Sequence, residues 1–83
     1  MDKSSQVAKQ EATEGQIISY LATMLGSTPS PDDSLALIGV DSVAMAELTF
    51  ELEKRFSIQI DDDVLDVDTI RELTHYVISR MPA

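Results

Sequence analysis

The sequence has no cysteine, no tryptophan and one histidine, and its six basic residues face fifteen acids. Without cysteine there is no disulfide framework, no thiolate nucleophile and no Cys-ligated zinc site. The lone histidine, His75, falls nearly opposite the apolar stripe of its helix, a solvated position. With no G-x-S-x-G turn either, a serine hydrolase triad lacks its parts. No apolar run approaches the roughly 20 residues needed to span a bilayer, and the N-terminus has no apolar signal-peptide core. A soluble, cytoplasmic chain is expected. The net charge of −9 argues against nucleic acid or an anionic membrane as partner.

What is present is 83 residues, 43% of them apolar. That suits one domain burying roughly 60% of its unfolded surface, with an aliphatic core and no deep second site. The acids are uneven: Asp41 to Glu72 holds ten acids and three bases, while the first ten residues sum to +1. Either the acids keep the protein soluble, or a partner with a basic patch docks on the C-terminal half.

Residues 1–12 are polar, lack an apolar stripe and read as a flexible N-terminal tail, leaving 13–83 as the folded domain. Thr13 and Gln16 stand in capping-box spacing before a stripe of Ile17, Ile18, Leu21, Met24 and Leu25, and Gly26 ends that helix. The stretch from Gly26 to Val40 is too long for a mere connector. Its Leu35, Leu37 and Ile38 are expected to pin it onto the core as an ordered loop.

From Asp41 to Phe56 no glycine or proline interrupts, and Asp41 suits an N-cap. Met45, Leu48, Thr49, Leu52 and Phe56 share one sector of about 100°, the core face. Ser57 to Ile60 reads as an extended connector, and Val64 and Leu65 belong to a short helical turn. Thr69 and Glu72 form a second capping box, opening a last helix with the stripe Ile70, Leu73, Val77 and Met81, ended by Pro82. The fold class is therefore all-α: three main helices, one short turn and a long loop after the first helix.

The chemistry concentrates at Ile38-Gly39-Val40-Asp41-Ser42-Val43. Gly39 permits a tight approach to the helix, Asp41 caps it, and Ser42 lies in the first turn near free backbone amides. A phosphate attached there is favoured by the helix dipole and those amides.

This stretch resembles the G-x-D-S-[aliphatic] attachment motif of acyl and peptidyl carrier proteins. Glu47-Leu48, the run Leu52-Glu53-Lys54-Arg55-Phe56-Ser57-Ile58 and Asp68-Thr69-Ile70 resemble that family's later segments, so the likeness covers roughly residues 14–81. It implies a four-helix-type carrier bundle that is not an enzyme. On the same ground Ser42 receives 4′-phosphopantetheine from coenzyme A through a phosphopantetheinyl transferase, with Gly39 and Asp41 shaping the site, and the reactive thiol belongs to the prosthetic group. Two positions depart from the family: Asp61 stands where many members have proline, and Val43 where leucine is commonest.

Opposite the core face, Val43, Glu47, Phe50 and Lys54 fall within a wedge of about 60°, flanked by Ala46 and Glu53. The matching positions of carrier proteins form the surface read by acyl-transfer, synthase or adenylating enzymes. The plain alternative is that lone exposed apolar residues need no explanation, and that a slight rotation of the helix buries Phe50. Val40, where many peptidyl carriers have a second glycine, leans toward an acyl carrier. An aminoacyl or peptidyl carrier is the alternative, and an acidic adaptor without a prosthetic group is a reading from another class. Met1 and the length suggest a free-standing monomer.

No metal site is expected. Asp61, Asp63 and Glu72 match positions 1, 3 and 12 of a calcium loop, but Leu65 and Asp66 occupy positions 5 and 6, where a ligand and a glycine are required.

Overall fold

The structure, a computed structural model, describes residues 3–81, and their side chains from residue 8 onward. Three α-helices, α1 (Lys3–Leu25), α2 (Ser42–Phe56) and α3 (Ile70–Arg80), are joined by a long loop and by a single 3-10 turn, Asp62–Asp66. Among the described residues there is no strand; the lone β-bridge pairs Ser34 with Thr69. None of these helices is long and apolar enough to cross a membrane.

Helix α1 starts well before Thr13. The boundary drawn after residue 12 therefore falls inside a continuous helix, and Thr13 is a buried interior residue, 2% exposed, rather than a cap. Residues 8–12 are Ala, Lys, Gln, Glu and Ala, all strong helix formers, and neither glycine nor proline precedes Gly15. A helix can thus extend on propensity with no apolar stripe to announce it. Gly26 ends α1 at φ +79°, and its N–H donates to the Ala22 carbonyl at 2.9 Å.

The core joins Ile17 and Leu21 of α1, Leu48 and Leu52 of α2, and Ile70, Leu73 and Val77 of α3, with Leu35, Val40 and Val64 sealing its ends. Met24, Leu25, Met45, Phe56 and Met81 pack around it, partly buried. Thr74 is a fully buried polar residue, and its hydroxyl donates to the Ile70 carbonyl at 2.9 Å, so burial leaves no orphan group.

The loop after α1 is ordered because it is sewn to the start of α3. Leu35 N–H donates to the Asp68 carbonyl at 2.8 Å, Ile70 N–H to the Asp33 carbonyl at 3.2 Å, and Ser34 Oγ to Asp68 Oδ1 at 2.8 Å. Leu35 is buried and Ile38 packs on the core, whereas Leu37 is 88% exposed and pins nothing. Successive residues of a tight turn point in different directions, so Leu37 and Ile38 cannot both face inward.

The second capping box forms as expected. Thr69 Oγ1 accepts from Glu72 N–H at 3.1 Å, and Glu72 Oε1 accepts from the N–H groups of Asp68 and Thr69 at 2.9 and 3.0 Å. Those two bonds hold the Glu72 carboxyl below its usual range. Helix α3 ends at Arg80; Pro82, read as its stop, lies outside the described residues.

Candidate functional site

Turn geometry delivers the chain to α2. Ile38, Gly39 and Val40 donate their N–H groups to the carbonyls of Ser34, Ala36 and Leu35 at 3.0, 3.2 and 3.0 Å. Gly39 takes φ +104°, and a Cβ there would meet only Leu25 Cδ2 at an ordinary 4.0 Å. Its role is therefore a backbone conformation that other residues resist, not the close approach expected. Val40 is then anchored in the core, 8% exposed.

Asp41 is extended (φ −83°, ψ −174°), and its Oδ1 accepts the Ala44 N–H at 2.8 Å. The aspartate thus caps α2 and leaves the Ser42 hydroxyl unneeded for that task. Ser42 is the first residue of the helix and is exposed. The backbone N–H groups of Ser42 and Val43 have no acceptor one turn back within the helix, so they face outward beside the hydroxyl at the positive end of the dipole.

Ser42 stands between two shallow clefts of about 220 Å³ each, which share Met45 and Leu65. One opens between α2 and the short turn, over Ala46, Thr49, Ile60 and Val64. The other opens toward the long loop, over Leu35, Val40 and Val67. Both are mainly aliphatic.

The outer face of α2 assembles as the helical wheel anticipated. Val43 and Phe50 are 68% and 65% exposed, and Ala46, Glu47 and Lys54 are exposed with them. Phe50 is not rotated into the core. Lys54 Nζ lies 5.6 Å from the Phe50 ring centroid and 3.8 Å from Glu51 Oε1, so it leans across the aromatic ring. Glu53 is half-buried, and its Oε2 accepts the Ile60 N–H at 2.8 Å, so this carboxylate ties the connector to α2.

Two features near the site escaped sequence reasoning. Leu65, paired with Val64 as a residue of the short turn, is 70% exposed and borders both clefts, while Val64 alone is buried. A turn with three residues per revolution sends neighbours in different directions, which is the signal that would have separated them. The second is a cluster of Asp61, Asp63, Tyr76 and Arg80. Arg80 donates to Asp61 Oδ2 at 2.6 Å and to Asp63 Oδ2 at 2.7 Å, and Tyr76 donates its phenol proton to Asp63 Oδ1 at 2.6 Å. Burial and the bond to Asp63 push the Tyr76 phenol up, and the bond to Asp61 raises Arg80 further. Two carboxylates of the calcium-like spacing are thus paired with a guanidinium, and Glu72 serves its capping box.

The fold is a small helical bundle whose second helix opens on an exposed serine. Similar architecture occurs in BlmI, a type-II acyl carrier protein from Streptomyces verticillus involved in bleomycin biosynthesis, with a TM-score of 0.86 at 20% identity over 94% of this chain and 96% of that one. An acyl carrier protein from Thermotoga maritima is also similar, with a TM-score of 0.74 at 17% identity over 87% and 89% of the two chains. These likenesses speak to the fold. No curated protein matches the sequence. The phosphopantetheine attachment site family matches residues 15–77, most of the chain, and the chain belongs to that family. It is a carrier rather than a catalyst, and its prosthetic group is 4′-phosphopantetheine. The residues present fit that group: an exposed hydroxyl, outward amides for a phosphodiester and aliphatic clefts on either side.

Proposed function

We propose that Ser42 is the residue that bears phosphopantetheine, and that the chain presents acyl intermediates, fatty or polyketide, to partner enzymes. The observation that carries this is the position of Ser42: exposed, first in its helix, relieved of capping by Asp41 and bordered by two apolar clefts. In the transfer from coenzyme A, the Ser42 oxygen forms the new bond to phosphorus while the phosphoanhydride bond to adenosine 3′,5′-bisphosphate breaks. A base on the transferase takes the hydroxyl proton. Once bound, the group supplies the thiol that holds cargo as a thioester.

This chain's own residues then orient and present. The amides of Ser42 and Val43 would hold the phosphodiester, and Gly39 and Asp41 keep the helix start in place. Val43, Ala46 and Phe50 offer apolar contact to a partner, with Glu47 pairing to its basic residues, Lys54 tempering the charge and Glu53 steadying the rear of the face. The partners are a phosphopantetheinyl transferase and acyl-transfer or synthase enzymes with basic docking patches. Val40, where many peptidyl carriers have a second glycine, leans toward acyl cargo. Aminoacyl or peptidyl cargo delivered by an adenylating enzyme is the second reading.

Incubation with coenzyme A and a broad-specificity transferase, followed by intact mass, tests the proposal. One phosphopantetheine increment, lost in Ser42→Ala, is expected. A folded chain that gains nothing, or a Ser42→Ala variant that is still modified, overturns it.

A further inference from the structure

The short turn beside Ser42 has a thin hold on the bundle. It is five residues long, Val64 is its one buried side chain, and its N-cap Asp61 makes no side-chain cap bond. On the α2 side, Glu53 grips Ile60 N–H. On the α3 side the hold is much denser. Tyr76 Oη accepts the Asp61 N–H at 3.1 Å and donates to Asp63, while Arg80 spans Asp61 and Asp63 with separate nitrogens. The Arg80 guanidinium also lies over the Tyr76 ring at 4.7 Å. Tyr76 and Arg80 are four residues apart on one face of α3, so a single helical turn closes on the start of the short turn like two fingers.

The segment so gripped is also a cleft wall. Ile60, Asp61, Asp62, Val64 and Leu65 line the cleft that opens from Ser42 along α2, and Asp61 is at once wall and anchor. Moving the clasp therefore shifts the wall, which is otherwise held by the burial of Val64, the packing of Ile60 and Val67 and the Glu53 bond to Ile60. From these contacts we infer that Tyr76 and Arg80 are positioning residues that set the width of this cleft, and thereby the length of acyl chain it shelters. The inference rests on Ser42 being the attachment residue.

The resting cleft of about 220 Å³ has room for roughly seven groups the size of a water molecule, or a short acyl chain. A long chain fits only if the short turn yields. The clasp accordingly biases the carrier toward sheltering short cargo and leaves longer cargo exposed.

The test uses the holo chain loaded with butyryl or dodecanoyl thioester, in wild type, Tyr76→Phe and Arg80→Gln. Hydroxylamine attacks the thioester carbonyl, giving the hydroxamate and returning the free thiol of the arm, so its rate reports how exposed the carbonyl is. The readout is the ratio of dodecanoyl to butyryl cleavage rates, which cancels any change common to both thioesters, while amide exchange separates a local opening from a general loosening of the bundle. Each α3 variant disrupts two clasp bonds and is expected to lower that ratio by about threefold or more, as the yielding wall shelters the longer chain. Amide exchange of Val64 and Val67 should quicken in the variants while that of Leu21 does not. An unchanged ratio overturns the inference. If either α3 variant fails to fold, Asp63→Asn loosens the clasp from the other side without touching the cleft lining, and the same ratio decides. Absence of the phosphopantetheine mass increment overturns the attachment reading itself, and this inference with it.

Discussion

Replacing Asp41 separates hydrogen bonding from charge at the start of α2. Asp41→Ala removes the 2.8 Å bond from Ala44 N–H and the carboxylate at the positive end of the helix. Loss of an N-cap acceptor costs about 1 kcal/mol, within a span of about 0.5 to 2. Loss of an anion from an exposed helix N-terminus adds about 0.3 to 1 kcal/mol. Relief of repulsion in so acidic a protein works in the opposite direction, but between exposed, salt-screened groups it is small. A net loss of about 1 to 1.5 kcal/mol corresponds to a fall in Tm of about 5 to 10 °C for a domain of this size. Asp41→Asn keeps an acceptor oxygen and should lose only the charge contribution, a few tenths of a kcal/mol up to about 1. Thermal and urea melts followed by far-UV circular dichroism measure both, with the urea m-value expected to stay constant. The reasoning fails if Asp41→Ala melts within about 2 °C of wild type, or if Asn is as damaging as Ala. If the cap also presents Ser42 to its transferase, modification should slow in the alanine variant and persist in the asparagine variant.

Among the described residues, Ser57 is the non-glycine residue with positive φ (φ 55°, ψ 46°), at the C-terminus of α2, so Ser57→Gly should gain about 0.5 to 1 kcal/mol, read as a higher urea midpoint. Gly15 lies inside α1 and a Cβ there meets nothing within 4 Å, so Gly15→Ala should stabilise by about 0.5 to 1 kcal/mol; a lower Tm would mean the helix is not continuous there. The Glu72 carboxyl is held low by its capping-box bonds, so its contribution is present above the unfolded value and disappears as pH falls through the folded one. Acid titration of wild type against Glu72→Gln, which keeps the capping-box geometry, should therefore show wild type more stable near neutrality, with the gap closing on the acid side; a gap that widens toward acid pH contradicts this sign.

Local signals were the legible ones. Asp41 and the Thr69/Glu72 box act within four residues of themselves, and the sequence spacing that announces them is the spacing of the bonds they make. Leu48, Leu52, Leu73 and Val77 followed from helical period, because each helix buries one face. The start of α1 escaped for the converse reason. Thr13 and Gln16 have the spacing of a capping box, but spacing cannot tell a helix start from an interior turn when the preceding residues are strong helix formers with no apolar face. The helix-start positions of Asp41 and Ser42 and the exposure of the α2 face were readable, while the Tyr76–Asp63 and Arg80–Asp61 contacts join residues 13 and 19 positions apart. Only the packing of the short turn against α3 brings them together.

That packing also bears on why the acids crowd between Asp41 and Glu72. Seven of the ten have work inside the molecule. Asp41 caps α2, Glu51 pairs with Arg55 at 2.8 Å, Glu53 holds Ile60, Asp61 and Asp63 hold Arg80, Asp68 accepts from Ser34, and Glu72 closes its box. Among the described residues, that leaves Glu47, Asp62 and Asp66 with no such task. Asp62 lines the cleft beside Ser42, and Glu47 sits on the exposed face between Val43 and Phe50. A partner's basic patch competes with no internal bond at these carboxylates, so they can be engaged without loosening the fold. The acidity of this half therefore divides into a larger part that builds the bundle and a smaller part free of internal bonds, of which Glu47 lies on the proposed docking face.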